Sequence, residues 1–205
     1  MPIALPLPTA TQTPRSLPPL HAVLQGEDGP VTLQGLRSGT RLCTRAGRSD
    51  QVIWLGRRRM TAARLAATPR LAPVLIRRGA LGRDNPARDL LLSPEQPVHF
   101  SDPRAAEWFG TTEICVAAVQ LTFIPGVEQI APCEILYVHP ILATAHAISI
   151  NGLWIGAGRA ADPEMTDPAS PQRKELLQLF PELVTLRGWM PPAPGAQATA
   201  ATASG

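Results

Sequence analysis

A short stretch after an apolar run has the form of a turn that can hold a catalytic histidine. Ser93 and Gln96 follow the run Leu90 to Leu92, which predicts a strand ending in a turn. A turn of the form Ser-x-x-His is a known place for a catalytic histidine, because an imidazole can act as a general acid. Here the fourth position is Gln96, whose amide donates hydrogen bonds but cannot deliver a proton. His99 lies three residues further along, so on a strand it would point to the opposite face.

The remaining cysteines and histidines are widely separated. Cys43, Cys115 and Cys133 are too few and too far apart for a disulfide framework or a zinc ribbon. Cys115 and Cys133 lie in apolar runs and are predicted to be small buried residues, and Cys43 falls within a predicted strand. A metal site built from His139, His146 and Cys133 would lack a fourth ligand. The sequence therefore predicts no metal and no cofactor.

Composition limits the classes of partner. The chain has 205 residues, of which 44% are apolar and 17% charged, with a net charge of +3. Its arginine clusters, Arg57 to Arg59 and Arg77-Arg78, have few aromatic neighbours, which disfavours a nucleic-acid partner. No apolar run is long enough to span a bilayer, and the N-terminus lacks a secretory signal. We expect a cytoplasmic monomer with no membrane partner, and a protein partner of unknown identity stays open.

Three segments divide the chain. Residues 1–19 are rich in proline and are predicted to be flexible, because proline removes backbone donors. Residues 191–205, PPAPGAQATAATASG, are predicted to be a disordered tail. The domain between them spans 20–190.

The domain has the pattern of a mostly β protein. Short apolar runs recur between turns such as Asp28-Gly29 and Asn151-Gly152, at a spacing of roughly ten residues that is typical of β-meanders and barrels. A helix is predicted from Gln172 to Leu183, with Ser170 as its cap and Pro171 in its first turn. The predicted strands lie at 21–24, 31–33, 41–44, 52–55, 74–77, 90–92, 114–119, 129–130, 135–139 and 147–150.

Several of these stretches, taken in order, resemble a known family. They are VIWLGRRR from residue 52, GALGRDNPARDLLLSP from residue 79, EICVAAVQL from 113, YVHPILATAHAISINGLW from 137 and KELLQLFPEL from 174. Together they are similar to bacterial Hedgehog/intein (Hint) domains over about residues 21–185. The resemblance implies a compact, horseshoe-like fold of short strands with a C-terminal helix.

The resemblance also implies an activity and shows what is missing from it. Active members cleave themselves when an N-terminal Cys or Ser attacks the preceding carbonyl, and a histidine in the turn protonates the departing nitrogen. Aligning the family's Asp-Gly turn on Asp28-Gly29 places the nucleophile at Leu17, and a competing alignment on Gly39-Thr40 places it at Gly35. Neither residue is a nucleophile, and Gln96 replaces the histidine.

We therefore expect a catalytically degenerate member that acts as a binding or structural module. Ser93, Gln96, His139 and His146 would be remnants of the cleft, with the two histidines matching the family's Tyr-x-His…His segment. The alternative is residual self-processing, an autocatalytic peptide cleavage through an N-to-S acyl shift by a nucleophile that the motifs do not reveal.

Overall fold

The computed structural model describes residues 2–6, 22–82, 84–101, 106–107, 110–132, 134–144, 147–159 and 167–185. Its strands are β1 (Ile3–Pro6), β2 (Val23–Gly26), β3 (Gly29–Thr32), β4 (Arg41–Cys43), β5 (Ser49–Thr61), β6 (Val74–Ile76), β7 (Leu90–Leu92), β8 (Pro97–Ser101), β9 (Glu113–Ala117), β10 (Val127–Gln129), β11 (Glu134–Leu142), β12 (Ala147–Ile150), β13 (Leu153–Gly156) and β14 (Gly158–Arg159). The helices are α1 (Ala62–Ala67) and α2 (Pro171–Leu179), with 3-10 turns at Pro69–Leu71, Ala118–Leu121 and Pro181–Thr185.

One continuous sheet contains the strands of the described ranges. Its order is β10-β6-β7-β1-β11-β5-β4-β2-β12-β13-β8-β9, with β14 beside β11 and β3 beside β2. The predicted mostly β fold with a C-terminal helix is confirmed. No helix in these ranges has the length and apolar content needed to cross a membrane.

The longest pairing joins β5 to β11. The register runs antiparallel from Thr61 opposite Glu134 to Val52 opposite Leu142, with an irregularity near the end of β11. The apolar runs at 52–55 and 135–139 predicted both strands, but the hydrogen-bonded strands extend well beyond these runs. The pairing therefore continues into segments whose side chains alternate between buried and exposed.

The core lies on both faces of this sheet. Leu90 and Leu92 belong to the larger buried cluster, and Leu91 between them belongs to the smaller one. Since successive strand residues point to opposite faces, a run of three buried leucines requires apolar packing on both sides. This explains why β6 and β7 are continuously apolar where the outer strands alternate.

Helix α2 covers the face of the smaller cluster. Ser170 caps the helix as predicted by accepting a hydrogen bond from the Arg173 amide at 3.3 Å, and Pro171 occupies its first turn. The helix ends at Leu179, earlier than predicted, because Pro181 disfavours helical backbone at the residue before it. The apolar stripe of Leu176, Leu179, Phe180 and Leu183 is fully buried against the sheet.

The N-terminal segment differs from the expectation of a flexible stretch. Residues Ile3–Pro6 form β1, which pairs with β11 on one side and with β7 on the other. Ile3 is completely buried and Ala4 is 1% exposed. The prolines flank these residues and do not interrupt them, so the amides between Pro2 and Pro6 remain able to pair. Residue 1, residues 7–21 and the predicted tail at 191–205 lie outside the described residues.

We expect Ile3 to be one of the residues on which stability depends most. Replacing it by Ala should lower the free energy of unfolding by about 2–5 kcal/mol, because it empties a fully buried site between two strands. Ile53→Ala is the matched control, since that side chain is 48% exposed. Urea denaturation of both variants measures the difference. Equal, small losses would show that β1 does not contribute to the core.

Candidate functional site

The turn between β7 and β8 positions the two residues of the Ser-x-x-His pattern. The main-chain amide of Gln96 donates to the Ser93 carbonyl at 3.0 Å and closes the turn. The Ser93 amide donates to the carbonyl of Pro2 at 3.1 Å, so the start of β1 lies directly against this turn. The side chains of Ser93 and Gln96 are both completely buried.

The Gln96 side chain forms a bridge between strands. Its Nε2 donates to the carbonyl of Gly156 at 2.7 Å and to that of Pro97 at 3.2 Å. Both amide protons are therefore directed at main-chain carbonyls. The glutamine stabilises the packing of the turn against the end of β13, and it holds no proton that could be transferred at neutral pH.

His139 is enclosed by rings in the middle of β11. The imidazole is completely buried, with its centroid 6.0 Å from Phe180 in a stacked arrangement and 6.3 Å from Trp54 edge-on. Gly56 lies opposite His139 across the pairing of β5 and β11, and a Cβ there would approach Trp54 to 2.4 Å and Phe180 to 2.7 Å. The glycine is thus required for the rings to close around the imidazole.

Gln96 and His139 both reach the segment between β13 and β14. Gln96 binds the Gly156 carbonyl, and a Cβ at Gly158 would lie 2.8 Å from Nε2 of His139. Two residues of extended chain span about 7 Å, so this segment brings the two side chains into one neighbourhood. The lack of a side chain at Gly158 leaves the space that the imidazole occupies.

Glu175 of α2 adds a carboxyl to the same turn. It is 4% exposed, and its Oε2 accepts a hydrogen bond from the Glu95 amide at 2.9 Å. The Ser93 hydroxyl lies near enough to influence the carboxyl, yet neither Ser93 Oγ nor Glu175 Oε1 makes a hydrogen bond of good geometry to a described residue. A cleft of about 220 Å³ opens beside Glu175 and Glu95, smaller than most small-molecule pockets.

Burial dominates the electrostatics of this cluster. It raises the pKa of Glu175 from 4.5 to about 7, although nearby Ser93 and the Glu95 amide lower it. The pKa of Glu95 is raised by its own partial burial, and burial with the nearby Glu175 charge raises the pKa of Tyr137. The Tyr137 hydroxyl donates to the Leu71 carbonyl at 2.5 Å. Glu175 is therefore half protonated near neutral pH.

Sequence reasoning missed Glu175, although a signal for it exists. Four and eight residues after it come Leu179 and Leu183, so the carboxyl lies on the apolar stripe of the helix. A carboxylate is almost never fully buried without a partner, and one on an apolar face indicates a specific contact. That contact is the turn after Ser93.

The other predicted site residues lie away from the cleft or outside the described residues. His146, Leu17 and Cys133 lie outside the described residues. Gly35 is exposed in the turn after β3, and the Cys43 thiol is half-buried and donates to the Gly26 carbonyl at 3.4 Å. Within the described ranges, no three His, Cys, Asp or Glu side chains are grouped as metal ligands.

Cys115 was predicted to be buried, and this is wrong. Its side chain is exposed on β9, because Ile114 before it is buried and successive residues of a strand point to opposite faces. His99 on β8 lies directly opposite, and its Nε2 is 3.4 Å from the Cys115 sulfur. The expectation that His99 faces away from the Gln96 side agrees with this placement.

The buried carboxyl predicts a pH-dependent stability. Because the pKa of Glu175 is higher in the folded chain than its ordinary 4.5, the folded state binds more protons between about pH 4.5 and 7, and stability falls as pH rises through that window. Glu175→Gln keeps an acceptor for the Glu95 amide and removes the charge. We expect it to raise the free energy of unfolding by about 1–3 kcal/mol at pH 8, with the gain shrinking below pH 7.

Urea denaturation at several pH values measures this gain. Glu107→Gln is the control, since that carboxyl is exposed. A stability gain for Glu175→Gln that stays constant from pH 5 to pH 8 would contradict the assignment of a titrating, buried carboxyl.

Comparison with known proteins found two similar solved structures. They are the gp41-1 intein, at 9% identity and a TM-score of 0.40, covering 68% of this chain and 95% of the intein, and a triple variant of it, at 11% identity and a TM-score of 0.39, covering 76% and 99%. No curated protein matches the sequence. The family model of the Hint domain matches residues 21–157. The chain thus belongs to the Hint domain family.

Proposed function

We propose that this Hint domain does not cleave itself and acts as a binding or structural module. The observation that supports the proposal is the Gln96 side chain, which stands in the turn where active members have their general acid. It is completely buried and donates to two main-chain carbonyls. Cleavage of an amide needs a proton for the departing nitrogen, and a side-chain amide cannot supply one.

The chain segment held against the turn also lacks a nucleophile. The carbonyl that accepts from the Ser93 amide belongs to Pro2, and the residue after it is Ile3. An acyl shift at that peptide bond would need a thiol or hydroxyl on Ile3, which has neither. Leu17 and Gly35, the two positions predicted from the family's pattern, are no better equipped.

One observation favours residual self-processing as a second candidate. The Ser93 hydroxyl lies beside Glu175, whose pKa of about 7 would allow it to accept a proton at neutral pH. A hydroxyl next to a titrating carboxyl is a pair that could act as nucleophile and base. The two candidates differ in an outcome that is simple to measure, which is whether the purified chain breaks.

Intact mass spectrometry separates these candidates. We expect the purified protein to keep its full mass during prolonged incubation with dithiothreitol at neutral pH. A discrete fragment that disappears in Ser93→Ala or in Cys43→Ala would contradict the proposal and identify the nucleophile. Glu175→Gln should then slow the cleavage if Ser93 is the attacking group.

Restoring the missing groups tests the proposed cause of inactivity. Gln96→His alone should give no cleavage, because an acid without a nucleophile has nothing to assist. Under the alignment on Asp28-Gly29, combining it with Leu17→Cys should release an N-terminal peptide of about sixteen residues in dithiothreitol, faster than Leu17→Cys alone by about 10²–10⁴-fold. The cleavage should be weak, because Pro18 and Pro19 cannot donate strand hydrogen bonds, and its absence in both variants would favour the alignment that places the nucleophile at Gly35. Equal rates for the single and double variants would show that position 96 does not face the scissile bond.

The structural role of Gln96 has its own test. Gln96→Leu keeps the volume but removes the side-chain donor from two half-buried carbonyls, so the free energy of unfolding should fall by about 1–3 kcal/mol. Gln34→Leu, at an exposed position, should change it little. Urea denaturation compares the two. A neutral Gln96→Leu would mean that the bridge contributes no stability.

A further inference from the structure

We propose that Cys115 is a reactive thiol that exchanges with small disulfides, with His99 and Arg45 as the residues that activate and position it. The site lies on the β8–β9 pair, on the face opposite to the one that presents Gln96. It is independent of the proposed loss of self-cleavage. Its chemistry follows from the order in which three polar side chains contact one another.

The thiol and the imidazole are cross-strand neighbours. His99 and Cys115 are directly opposite in the register of β8 and β9, and the distance from Nε2 to the sulfur is 3.4 Å. Neighbouring strands fix such a pair on the same face, so the contact does not depend on a long flexible side chain. Cys115 is exposed, which gives a reagent access to the sulfur, while His99 is half-buried.

The third group determines which ring nitrogen carries the proton. Arg45 Nη1 lies 3.5 Å from His99 Nδ1, and a guanidinium can only donate. Nδ1 must therefore accept, which leaves the proton of a neutral imidazole on Nε2, directed at sulfur. A hydrogen bond from an N–H group stabilises a thiolate more than a thiol, so this arrangement favours the ionised form of Cys115.

The groups around the Cys115 sulfur favour its ionisation, with the exception of the Glu113 carboxylate. Burial, with the nearby Arg45 charge, lowers the pKa of His99, so the ring is neutral at pH 7 and acts through its N–H group. Arg45 supplies a positive charge, and Glu113, two residues from Cys115 on the same strand, forms an ion pair with Arg45. The carboxylate of Glu113 opposes ionisation of the thiol, but its pairing with Arg45 also fixes the guanidinium beside His99.

Cys43 provides an internal comparison. Its thiol is half-buried and donates its proton to the Gly26 carbonyl at 3.4 Å. Both cysteines lie on strands of the same sheet and experience the same solution. At Cys115 the contact with His99 directs a donor at sulfur, whereas at Cys43 the sulfur is itself the donor.

The exchange reaction is balanced with a small disulfide as the co-reactant. The Cys115 thiolate attacks one sulfur of the disulfide, a new sulfur–sulfur bond forms at Cys115, and the old bond breaks. The leaving half departs as a thiolate and takes up a proton from water. An excess of a free thiol reverses the reaction by the same route.

Alkylation rates measured residue by residue test the first part of the proposal. The unmodified protein is treated with iodoacetamide between about pH 5 and pH 9, and peptide mass spectrometry follows each cysteine. We expect a midpoint for Cys115 clearly below the ordinary thiol value of about 8.5, and a rate at pH 7 about threefold to tenfold above that of Cys43. A midpoint for Cys115 at or above that of Cys43 would overturn the proposal.

Variants separate activation from simple exposure. His99→Phe removes the N–H donor and Arg45→Gln removes the charge, so both should move the Cys115 midpoint toward its ordinary value, while Arg45→Lys should retain part of the shift. The profile of Cys43 should be unchanged in all three, which reports that the sheet is intact. A Cys115 midpoint that stays in place in both His99→Phe and Arg45→Gln would show that neither residue activates it.

Cystine is the probe for the exchange itself. At neutral pH it should add one half-cystine to Cys115 before Cys43, and excess dithiothreitol should remove it. His99→Phe should slow the addition severalfold, in step with the loss of thiolate. Modification of Cys43 at the same rate as Cys115 would overturn the selectivity that the proposal requires.

Discussion

The antiparallel pairing of β5 with β11 is the constraint on which the site depends. It fixes His139 opposite Gly56, and only a glycine there lets Trp54 and Phe180 close around the imidazole. Phe180 follows helix α2, so the same contact determines where the helix lies on the sheet. Once the helix is in place, Glu175 can reach the turn after Ser93. A shift of one residue in the pairing would place a residue other than Gly56 opposite His139 and turn the side chains of the shifted strand to the other face.

Much of this architecture could be predicted from the sequence because it follows the spacing of apolar residues and the turn and capping residues that end each element. The buried run Leu90–Leu92 and the cap of α2 coincide with local patterns, and strands β6, β9, β11 and β12 each overlap a predicted strand. Strand β8 was missed because its apolar residues are few and alternate with polar ones, and β13 was missed although it is apolar. Their pairing is decided by neighbouring strands, which a local pattern does not contain.

Long-range contacts explain the other differences. Ile3 is buried only because β7 and β11 leave a place between them, and nothing in a proline-rich segment predicts that place. The burial of Glu175 depends on a turn eighty residues earlier in the chain. Likewise, Cys115 is exposed because β8 and β9 have one solvent-facing side, although its apolar neighbours suggested a buried thiol. Local patterns in the sequence predict which residues could form strands or sites, whereas the residues that they contact are determined by the fold.

Under the proposed function, the glutamine at position 96 is an example of a site that keeps its fold without its chemistry. The position at residue 96 needs a donor for the carbonyl of Gly156, and that need is structural. An amide meets it without titrating, so the hydrogen bond from Gln96 to the Gly156 carbonyl does not depend on pH near neutrality. A buried carboxyl at Glu175 is the reverse case, since its burial costs stability whenever it ionises. Retaining such a group at the turn shows that packing of α2 over the sheet outweighs that cost, because the fully buried leucines of the helix each contribute roughly 2 kcal/mol.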